Sequence, residues 1–140
     1  MDAPAGFELF TRPSPLIDPW RPIYARAADD RFVLGLYLRE PHTNSRATAH
    51  GGLIAALADQ AMGMSCGVKL RAEGVNVANL WTTSLTVDYL GAATLGQWLA
   101  FDTIFARVGK TLCHAECDAS ADGETIARGR AAFRVALAKA

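Results

Sequence analysis

The sequence predicts an α+β fold in which an antiparallel β-sheet wraps around one long central helix. The first observation is an almost wholly apolar run at residues 50–68, HGGLIAALADQAMGMSCGV, which is typical of a buried helix. The second is a period-two pattern that begins near residue 80 and is interrupted by the turn pairs Gly109-Lys110 and Asp122-Gly123. Tight turns join antiparallel strands, so we expect the strands to form one sheet packed on the helix.

The N-terminal segment, residues 1–30, is predicted to form an extended arm outside a single domain at residues 31–140. Four prolines exclude a long helix in the arm, because proline lacks a backbone N–H and fixes φ. They are Pro13, Pro15, Pro19 and Pro22. A short helical start is expected near Phe7–Phe10. The apolar side chains expected to pack are Leu16, Ile17, Trp20 and Tyr24.

Five strands are predicted from the alternation of apolar and polar residues. They are Phe32–Leu38, a strand around Trp81–Tyr89, Gln97–Val108, Thr111–Ala119 and a last strand from about Thr125 to Leu137. A polar loop at Pro41–Ala49 separates the first strand from the helix.

Side-chain directions follow from the same alternation. In the second strand one face is expected to hold Trp81, Leu85, Val87 and Tyr89, and the opposite face Thr82, Ser84, Thr86 and Asp88. In the last strand the residues expected inward are Ala127, Ala131, Phe133 and Val135, with Arg128, Arg130 and Arg134 outward.

The helix carries two predicted stripes, spaced at 3.6 residues per turn. The stripe expected to face the sheet consists of Leu53, Leu57, Ala61, Met64 and Val68. The second stripe has small residues around one acid: Gly52, Ala55, Ala56, Asp59, Gly63 and Cys66. Small residues let a neighbouring backbone or a slim ligand approach closely.

The composition limits the classes of partner that the protein is expected to bind. Of 140 residues, 14 are basic and 14 acidic, so no long-range field favours nucleic acid or an anionic membrane. Because 51% of residues are hydrophobic and only 20% charged, we expect an oligomer that buries apolar surface. The apolar run contains Asp59 and many small residues, which favours a buried helix over a membrane span. Three cysteines without a signal-like N-terminus predict a cytoplasmic protein.

Asp59 is the main chemical signal, because a lone carboxylate on a buried helix is costly unless it is paired or does chemistry. Gly51 and Gly52 add free N–H groups at the helix start, where a polarised oxygen binds well. Asp59 lies eight residues beyond Gly51, which is roughly 12 Å along the axis. A reacting atom must lie within about 3 Å of both groups. If both act in one site, two antiparallel helices from two subunits must form it, so we predict an obligate dimer.

A purely structural interpretation stays open at this point. The helix could pack against another chain, with Asp59 satisfied by a hydroxyl or a backbone N–H. A second candidate site, Cys113-His114-x-x-Cys117, is interpreted as structural. On a strand its two cysteines lie about 13 Å apart, too far for one metal ion or a disulfide, and His114 points to the opposite face.

The stretch from Asn44 to Asp59, NSRATAHGGLIAALAD, resembles the Asn-to-His-Gly-Gly-to-Asp signature of hotdog-fold acyl-CoA thioesterases. It is most similar to the phenylacetate-pathway (PaaI-like) family of the 4-hydroxybenzoyl-CoA thioesterase superfamily. Further landmarks are Val87-Asp88-Tyr89-Leu90, Leu95-Gly96 and Arg107-Val108-Gly109-Lys110, and the resemblance covers about residues 30–137. The resemblance implies the hotdog fold, in which a sheet wraps one helix.

The resemblance also implies roles for single residues. The Gly51 N–H polarises the thioester carbonyl, and Asp59 acts either as a general base on water or as a nucleophile. Asn44 lies near the thioester, His50 supports the loop and is expected to touch the substrate, and Thr82 helps to hold the hydrolytic water. A one-residue slip in the alignment would instead select Thr83, on the other face of the strand.

The chain departs from the family pattern before the helix. The family has glycine where this chain has Ala47, and a larger apolar residue where it has Ala49. If that glycine uses a positive φ, Ala47 is strained or the loop takes another path.

We therefore predict an acyl-CoA thioesterase that needs no metal or other cofactor. Its expected partners are an acyl-CoA substrate and a second copy of itself, with a dimer of dimers as the larger assembly, and neither nucleic acid nor membrane. Gly52 and Thr83 are expected to contact substrate, and Arg107 and Lys110 to contact the coenzyme A phosphates, although a solvated sheet face explains such charges equally. The alternatives are a non-catalytic acyl-CoA binding or sensor protein, and a hotdog-fold enoyl-thioester hydratase or dehydratase.

Overall fold

The computed structural model describes residues 2–28 and 30–139 as one helix wrapped by one sheet, which confirms the predicted fold class. The helix α1 spans Gly51–Ala72. The strands are β1 Glu8–Leu9, β2 Tyr24–Ala28, β3 Arg31–Tyr37, β4 Val77–Tyr89, β5 Trp98–Arg107, β6 Leu112–Ala121 and β7 Glu124–Leu137. They form a 7-stranded sheet in the order β1-β2-β3-β5-β6-β7-β4, and every neighbouring pair is antiparallel. Short 3-10 helices lie at Asp18–Trp20 and Glu40–His42.

The last three strands follow the prediction closely. The turn between β6 and β7 has Asp122 at φ 48° and Gly123 at φ 87°, the two positive values that a tight hairpin requires. The four residues predicted to face inward on β7 are buried and its three arginines are exposed. Cys113 and Cys117 are buried on the same face of β6 and His114 is exposed, as predicted. Burial raises the pKa of the Cys66 and Cys117 thiols to about 12, so both stay protonated.

The buried surface of α1 differs from the predicted stripe. Met64 and Val68, predicted to face the sheet, are only half-buried. The sheet curls around the helix and covers a wider arc than one stripe. The buried helix residues are Leu53, Ile54, Leu57, Ala58, Ala61, Met62, Ser65, Cys66, Gly67 and Leu70. The buried Ser65 hydroxyl accepts from the Phe32 N–H at 3.1 Å, which joins the helix to β3.

The predicted helical start near Phe7–Phe10 is wrong. Glu8–Leu9 forms β1, which pairs with Tyr24 and Ala25 of β2, and the Phe10 N–H donates to the Ile23 carbonyl at 2.8 Å. Pairing with a strand that is distant in sequence overrides the local helix propensity of so short a segment. Ile17 packs as predicted, at 2% exposed, whereas Leu16 is 70% exposed.

The predicted alternation in β4 fails at one point, where the strand contains a β-bulge. Thr82 lies opposite Phe133 and Ser84 opposite Ala132, so Thr83 is an extra residue without a partner of its own on β7. The bulge reverses the side-chain directions that precede it. Trp81 therefore lies opposite the exposed Arg134 on the outer face, and Thr82 shares the inner face with Phe133.

Strand β4 ends the sheet, because β7 is its one partner among the residues described. It is also largely exposed, with Trp81, Leu85 and Tyr89 exposed by 46%, 38% and 50%. A long, apolar, uncovered edge strand is a ready template for pairing with another chain. Within the described part of the chain, no helix is both long enough and apolar enough to cross a membrane.

Candidate active site

The start of α1 is fixed by a cap from His50. This residue has φ −67° and ψ 132°, outside the helical region, and its Nδ1 accepts from the Gly52 N–H at 2.8 Å. Because Nδ1 accepts, the imidazole proton lies on Nε2 in this arrangement. The Gly52 N–H is therefore occupied by the cap. The Gly51 N–H finds no acceptor among the described residues, so it is the donor available at the positive end of the helix dipole.

Tyr89 positions this end of the helix, a role that the sequence analysis missed. Its hydroxyl donates to the Gly51 carbonyl at 2.6 Å, which ties the helix start to the end of β4. A side chain at position 51 would place Cβ 3.3 Å from the Tyr89 hydroxyl and ring, so the close approach favours glycine. Partial burial raises the pKa of Tyr89, which keeps it a donor at neutral pH.

Asn44 shapes the loop that leads into the helix. Its Oδ1 accepts from the Arg46 N–H at 2.9 Å, and its Nδ2 donates to the Thr48 hydroxyl at 2.9 Å. Ala47 lies inside this turn and has φ 59°. This is the left-handed conformation expected if the glycine that the family has at this position uses a positive φ. The loop thus keeps the path expected for glycine, at a cost in strain.

Asp59 lies on the second turn beyond Gly52 and is half-buried. The Thr82 hydroxyl donates to Asp59 Oδ1 at 2.6 Å, and Oδ2 has no partner among the described residues. Thr83, the alternative candidate, donates instead to the Ala132 carbonyl at 3.2 Å. The structure therefore brings Thr82, rather than Thr83, to the acid.

Asp59 and Thr82 lie on the wall of a cavity of about 290 Å³ between α1, the start of β4 and the N-terminal arm. Gly63 and Gly67 follow Asp59 at intervals of four residues and leave this side of the helix open. Phe32 and Phe133 contribute apolar wall. The cavity can hold a slim organic group whose reactive end lies at Asp59.

Within one chain, Gly51 lies apart from Asp59, and Arg107 lies apart from the start of α1. Gly51 and Asp59 remain separated by eight residues of one straight helix, roughly 12 Å. Arg107 lies at the end of β5, beside the contact in which Lys69 Nζ donates to the Ala106 carbonyl at 2.7 Å. Lys69 is eighteen residues beyond Gly51, roughly 27 Å along the helix axis, so Arg107, next to Ala106, lies far from the helix start of its own chain.

No group of three or more His, Cys, Asp or Glu side chains capable of holding a metal ion occurs in the described ranges 2–28 and 30–139. The polar groups on the cavity wall include Asp59, Thr82, the amides of Gln60 and Asn79, and two arginines, Arg12 and Arg71. This donor set favours acid–base or nucleophilic chemistry on a polar bond.

Comparison with known proteins identifies the family to which the chain belongs. Residues 47–127 match the sequence model of the thioesterase superfamily. A Pseudomonas aeruginosa protein named "Putative esterase" is 30% identical over 136 residues, which cover 96% of this chain and 98% of the relative. Acyl-coenzyme A thioesterase 13 of Mus musculus is 32% identical over 108 residues, covering 74% of this chain and 72% of the relative.

A solved structure extends the agreement to the fold. The phenylacetic acid degradation protein PaaI from Thermus thermophilus superposes with a TM-score of 0.73 at 17% identity, covering 86% of this chain and 98% of that one. The match spans the helix and the sheet that wraps it, which is the hotdog fold. With both the sequence match and the fold in hand, the chain belongs to the thioesterase superfamily and is a hotdog-fold thioester hydrolase.

Proposed function

We propose that the protein is an acyl-CoA thioesterase that hydrolyses its substrate to a carboxylic acid and free coenzyme A, at sites shared by two subunits. The observation that carries the proposal is Asp59 on the cavity wall, with one carboxylate oxygen held by Thr82 and the other without a partner among the described residues. The relationship to acyl-coenzyme A thioesterase 13 supports coenzyme A as the thiol. The scheme uses no metal or other cofactor.

The reaction begins with the thioester carbonyl oxygen accepting from the Gly51 N–H at the helix start. Asp59 then either takes a proton from an attacking water or attacks the carbonyl carbon itself, forming a mixed anhydride that water opens. In both cases the carbonyl oxygen becomes an anion, which the Gly51 N–H and the helix dipole stabilise. The C–S bond breaks, the thiolate of coenzyme A leaves, and the proton lost by water protonates the sulfur.

The two routes differ in where the oxygen of water ends when water opens the anhydride at the Asp59 carbonyl carbon; opening at the acyl carbon gives the same labelling as direct attack. In a single turnover in heavy-oxygen water, label found in the Asp59 carboxylate identifies the anhydride route. Direct attack by water places the label in the carboxylic acid product and leaves Asp59 unlabelled.

The requirement for two subunits follows from the separation of roughly 12 Å between Gly51 and Asp59 along one helix. A two-fold axis beside the exposed edge of β4 would pair two such edges antiparallel and extend the sheet across the dimer. It would also set two α1 helices antiparallel, with Gly51 of one subunit facing Asp59 of its partner. Burial of Trp81 and Leu85 at this edge would add apolar contact to the pairing.

A dimer of dimers is the larger assembly that the outer sheet face supports. Phe105 lies there, 48% exposed, beside a shallow depression that also contains Thr86, His114 and Arg130. Ile104 and Leu112 are also exposed, by 51% and 42%. Two such faces stacked on each other would cover this apolar surface.

The remaining site residues support the two central groups. His50 and Asn44 shape the loop that presents the Gly51 N–H, and Gly52 supplies the capping donor. Arg107 and Lys110 are exposed and form no ion pair among the described residues, so they remain the predicted contacts for the coenzyme A phosphates.

The test is complementation between two inactive variants. Gly51→Pro removes the N–H, and proline suits the first helical position after the extended His50. Because its Cβ would lie 3.3 Å from Tyr89, thermal unfolding of the variant dimer must show that the fold is kept. Asp59→Asn removes the base. Dimers that contain one copy of each variant can be purified with two different tags. One of their two sites then combines a wild-type Gly51 with a wild-type Asp59, so about half of the wild-type activity should return.

The matched control pairs Asp59→Asn with Thr82→Ala. These residues come from the same chain and belong to the same site, so their heterodimer should recover no activity beyond that of the Thr82→Ala site alone. Full recovery in this control, or none with Gly51→Pro, contradicts the shared site. Ligand-induced thermal stabilisation without thiol release would favour the sensor alternative, and hydration of an enoyl-CoA measured in parallel would favour the hydratase.

A further inference from the structure

Two exposed arginines border the cavity that holds Asp59. Arg71, on the last turn of α1, and Arg12, on the N-terminal arm, both line the cavity that holds Asp59. The ion pairs and hydrogen bonds among residues 2–28 and 30–139 use neither guanidinium group; Arg12 contributes its backbone carbonyl alone. Asp59 is the one carboxylate among the described residues that line the cavity.

Arg71 folds back over the helix towards the acid. Its Nη1 lies 3.1 Å from the position that a Cβ on Gly67 would occupy, so the guanidinium rests on the glycine itself. Gly67 is eight residues beyond Asp59, which places this guanidinium roughly 12 Å along the helix from the acid. Gly63 stands between them and keeps the space open.

A third polar group lies between the two ends. Gln60 lines the same cavity, and its amide nitrogen has only the Met64 sulfur as an acceptor among the described residues, at 3.4 Å. A thioether is a weak acceptor, so the amide is available to a better one. Asn79, at the start of β4, adds another amide to the wall. A purely alkyl chain would offer the two guanidinium groups no acceptor within the cavity.

We propose that the cavity receives an unbranched acyl chain that ends in a carboxylate, with the thioester at Asp59 and the distal carboxylate on Arg71 and Arg12. This inference rests on the proposed thioesterase function and specifies its substrate class. Guanidinium groups bind carboxylates through two parallel N–H donors, which a terminal methyl group does not accept. The roughly 12 Å between the ends selects chains of intermediate length.

The experiment compares two substrates with the same number of carbons, suberoyl-CoA and octanoyl-CoA, which differ only at the distal end. The wild-type enzyme should show the higher kcat/KM for suberoyl-CoA. In an extended series of glutaryl-, adipoyl-, suberoyl- and sebacoyl-CoA, the rate should pass through a maximum rather than fall steadily with length. Preference for octanoyl-CoA would overturn the proposal.

The variants test the arginines through the ratio of kcat/KM for suberoyl-CoA to that for octanoyl-CoA. Arg71→Met should lower this ratio by about tenfold, the lower end expected for one charge-assisted hydrogen bond at an open site. Arg71→Lys keeps the charge and should restore part of the ratio. Arg12→Met, on a different segment of the chain, should lower it independently. The matched control is Arg130→Met, which removes an exposed arginine of the outer sheet face.

The outcomes separate this inference from the proposed function. If Asp59→Asn abolishes hydrolysis but neither Arg71→Met nor Arg12→Met changes the ratio, the thioesterase stands and the carboxylate subsite is wrong. If the wild-type enzyme hydrolyses no acyl-CoA of either kind, both fail. A fall in the ratio equal to that of Arg130→Met would show a general charge effect and would also refute the subsite.

Discussion

The Thr82 hydroxyl donates to the Asp59 carboxylate at 2.6 Å across the space between β4 and α1. The contact depends on the bulge at Thr83, because a regular strand would direct Thr82 to the face that carries Ser84. A threonine held in this way fixes the orientation of the acid and leaves its second oxygen without a partner among the described residues. The contact between the candidate catalytic group and its positioning residue therefore depends on one local irregularity in the sheet.

Replacing Asp59 by asparagine should lower kcat by at least about 100-fold, because the amide has the shape of the acid but neither accepts a proton nor attacks a carbonyl. Thiol release from an acyl-CoA panel measures the loss. The amide oxygen of the substituted side chain can still accept from Thr82, so the oligomeric state and the melting temperature should match the wild type. Wild-type rates in the variant would remove Asp59 from the mechanism.

Thr82→Ala should lower kcat by about tenfold, as expected when one hydrogen bond to a charged group is lost. Thr82→Ser keeps the hydroxyl and should retain most of the rate. The neighbouring Thr83→Ala is the matched control, since that hydroxyl bonds to the Ala132 carbonyl and its loss should act mainly on stability. Steady-state kinetics and thermal unfolding of all three variants give both quantities. An equal loss of kcat in Thr83→Ala would place the wrong threonine at the acid.

Much of the site could be read from residue types and spacing. The glycines at the start of an apolar run and the single acid nine residues after His50 predict a helix N-terminus and a carboxylate on one helix. The choice between Thr82 and Thr83 was not accessible in this way. A bulge depends on how β4 pairs with β7, and the alternation of residues within one strand does not show how that strand pairs with its neighbour.

The same difference, between local residue preferences and contacts of segments distant in sequence, explains which other parts of the fold were predictable. Strands β5 to β7 are joined by short turns whose residues have strong conformational preferences, so their order and faces were predictable. Strand β1 exists because Glu8 and Leu9 meet β2, which is a contact between segments and not a property of the segment. Tyr89 was assigned a face but not its bond to the Gly51 carbonyl, because the end of β4 and the start of α1 are far apart in sequence.

Ala47→Gly should stabilise the protein, because Ala47 has φ 59° and this conformation is costly for an L-residue. The left-handed conformation costs an L-residue about 1–2 kcal/mol. Glycine avoids this cost but loses more conformational entropy on folding, so the free energy of unfolding should rise by roughly 0.5–1 kcal/mol. Thermal unfolding should show a rise in Tm of about 1–4 °C. Ala49→Gly is the control, since Ala49 packs against the core and should lose stability instead. A lower Tm for Ala47→Gly would show that the loop does not hold this conformation in solution.

Stability should fall in weak acid because of His42, which is buried between the arm and the loop before α1. Its Nδ1 accepts from the Arg39 N–H at 2.9 Å and its Nε2 donates to the Trp20 carbonyl at 2.8 Å. Burial lowers the pKa of His42, and the nearby Arg39 lowers it further, although the bond to Trp20 opposes both. The folded protein thus holds a neutral imidazole at a pH where the unfolded chain, with a pKa of about 6.5, begins to bind a proton.

The sign follows from proton counting. Between the lowered folded pKa and about 6.5 the unfolded state binds more protons, so the free energy of unfolding should increase with pH and level off above about pH 6.5. Urea unfolding at a series of pH values measures this slope. His42→Asn keeps an acceptor near Nδ1 but does not titrate, so the slope in this window should flatten. An unchanged slope in His42→Asn would mean that another group, and not this histidine, loosens the arm in acid.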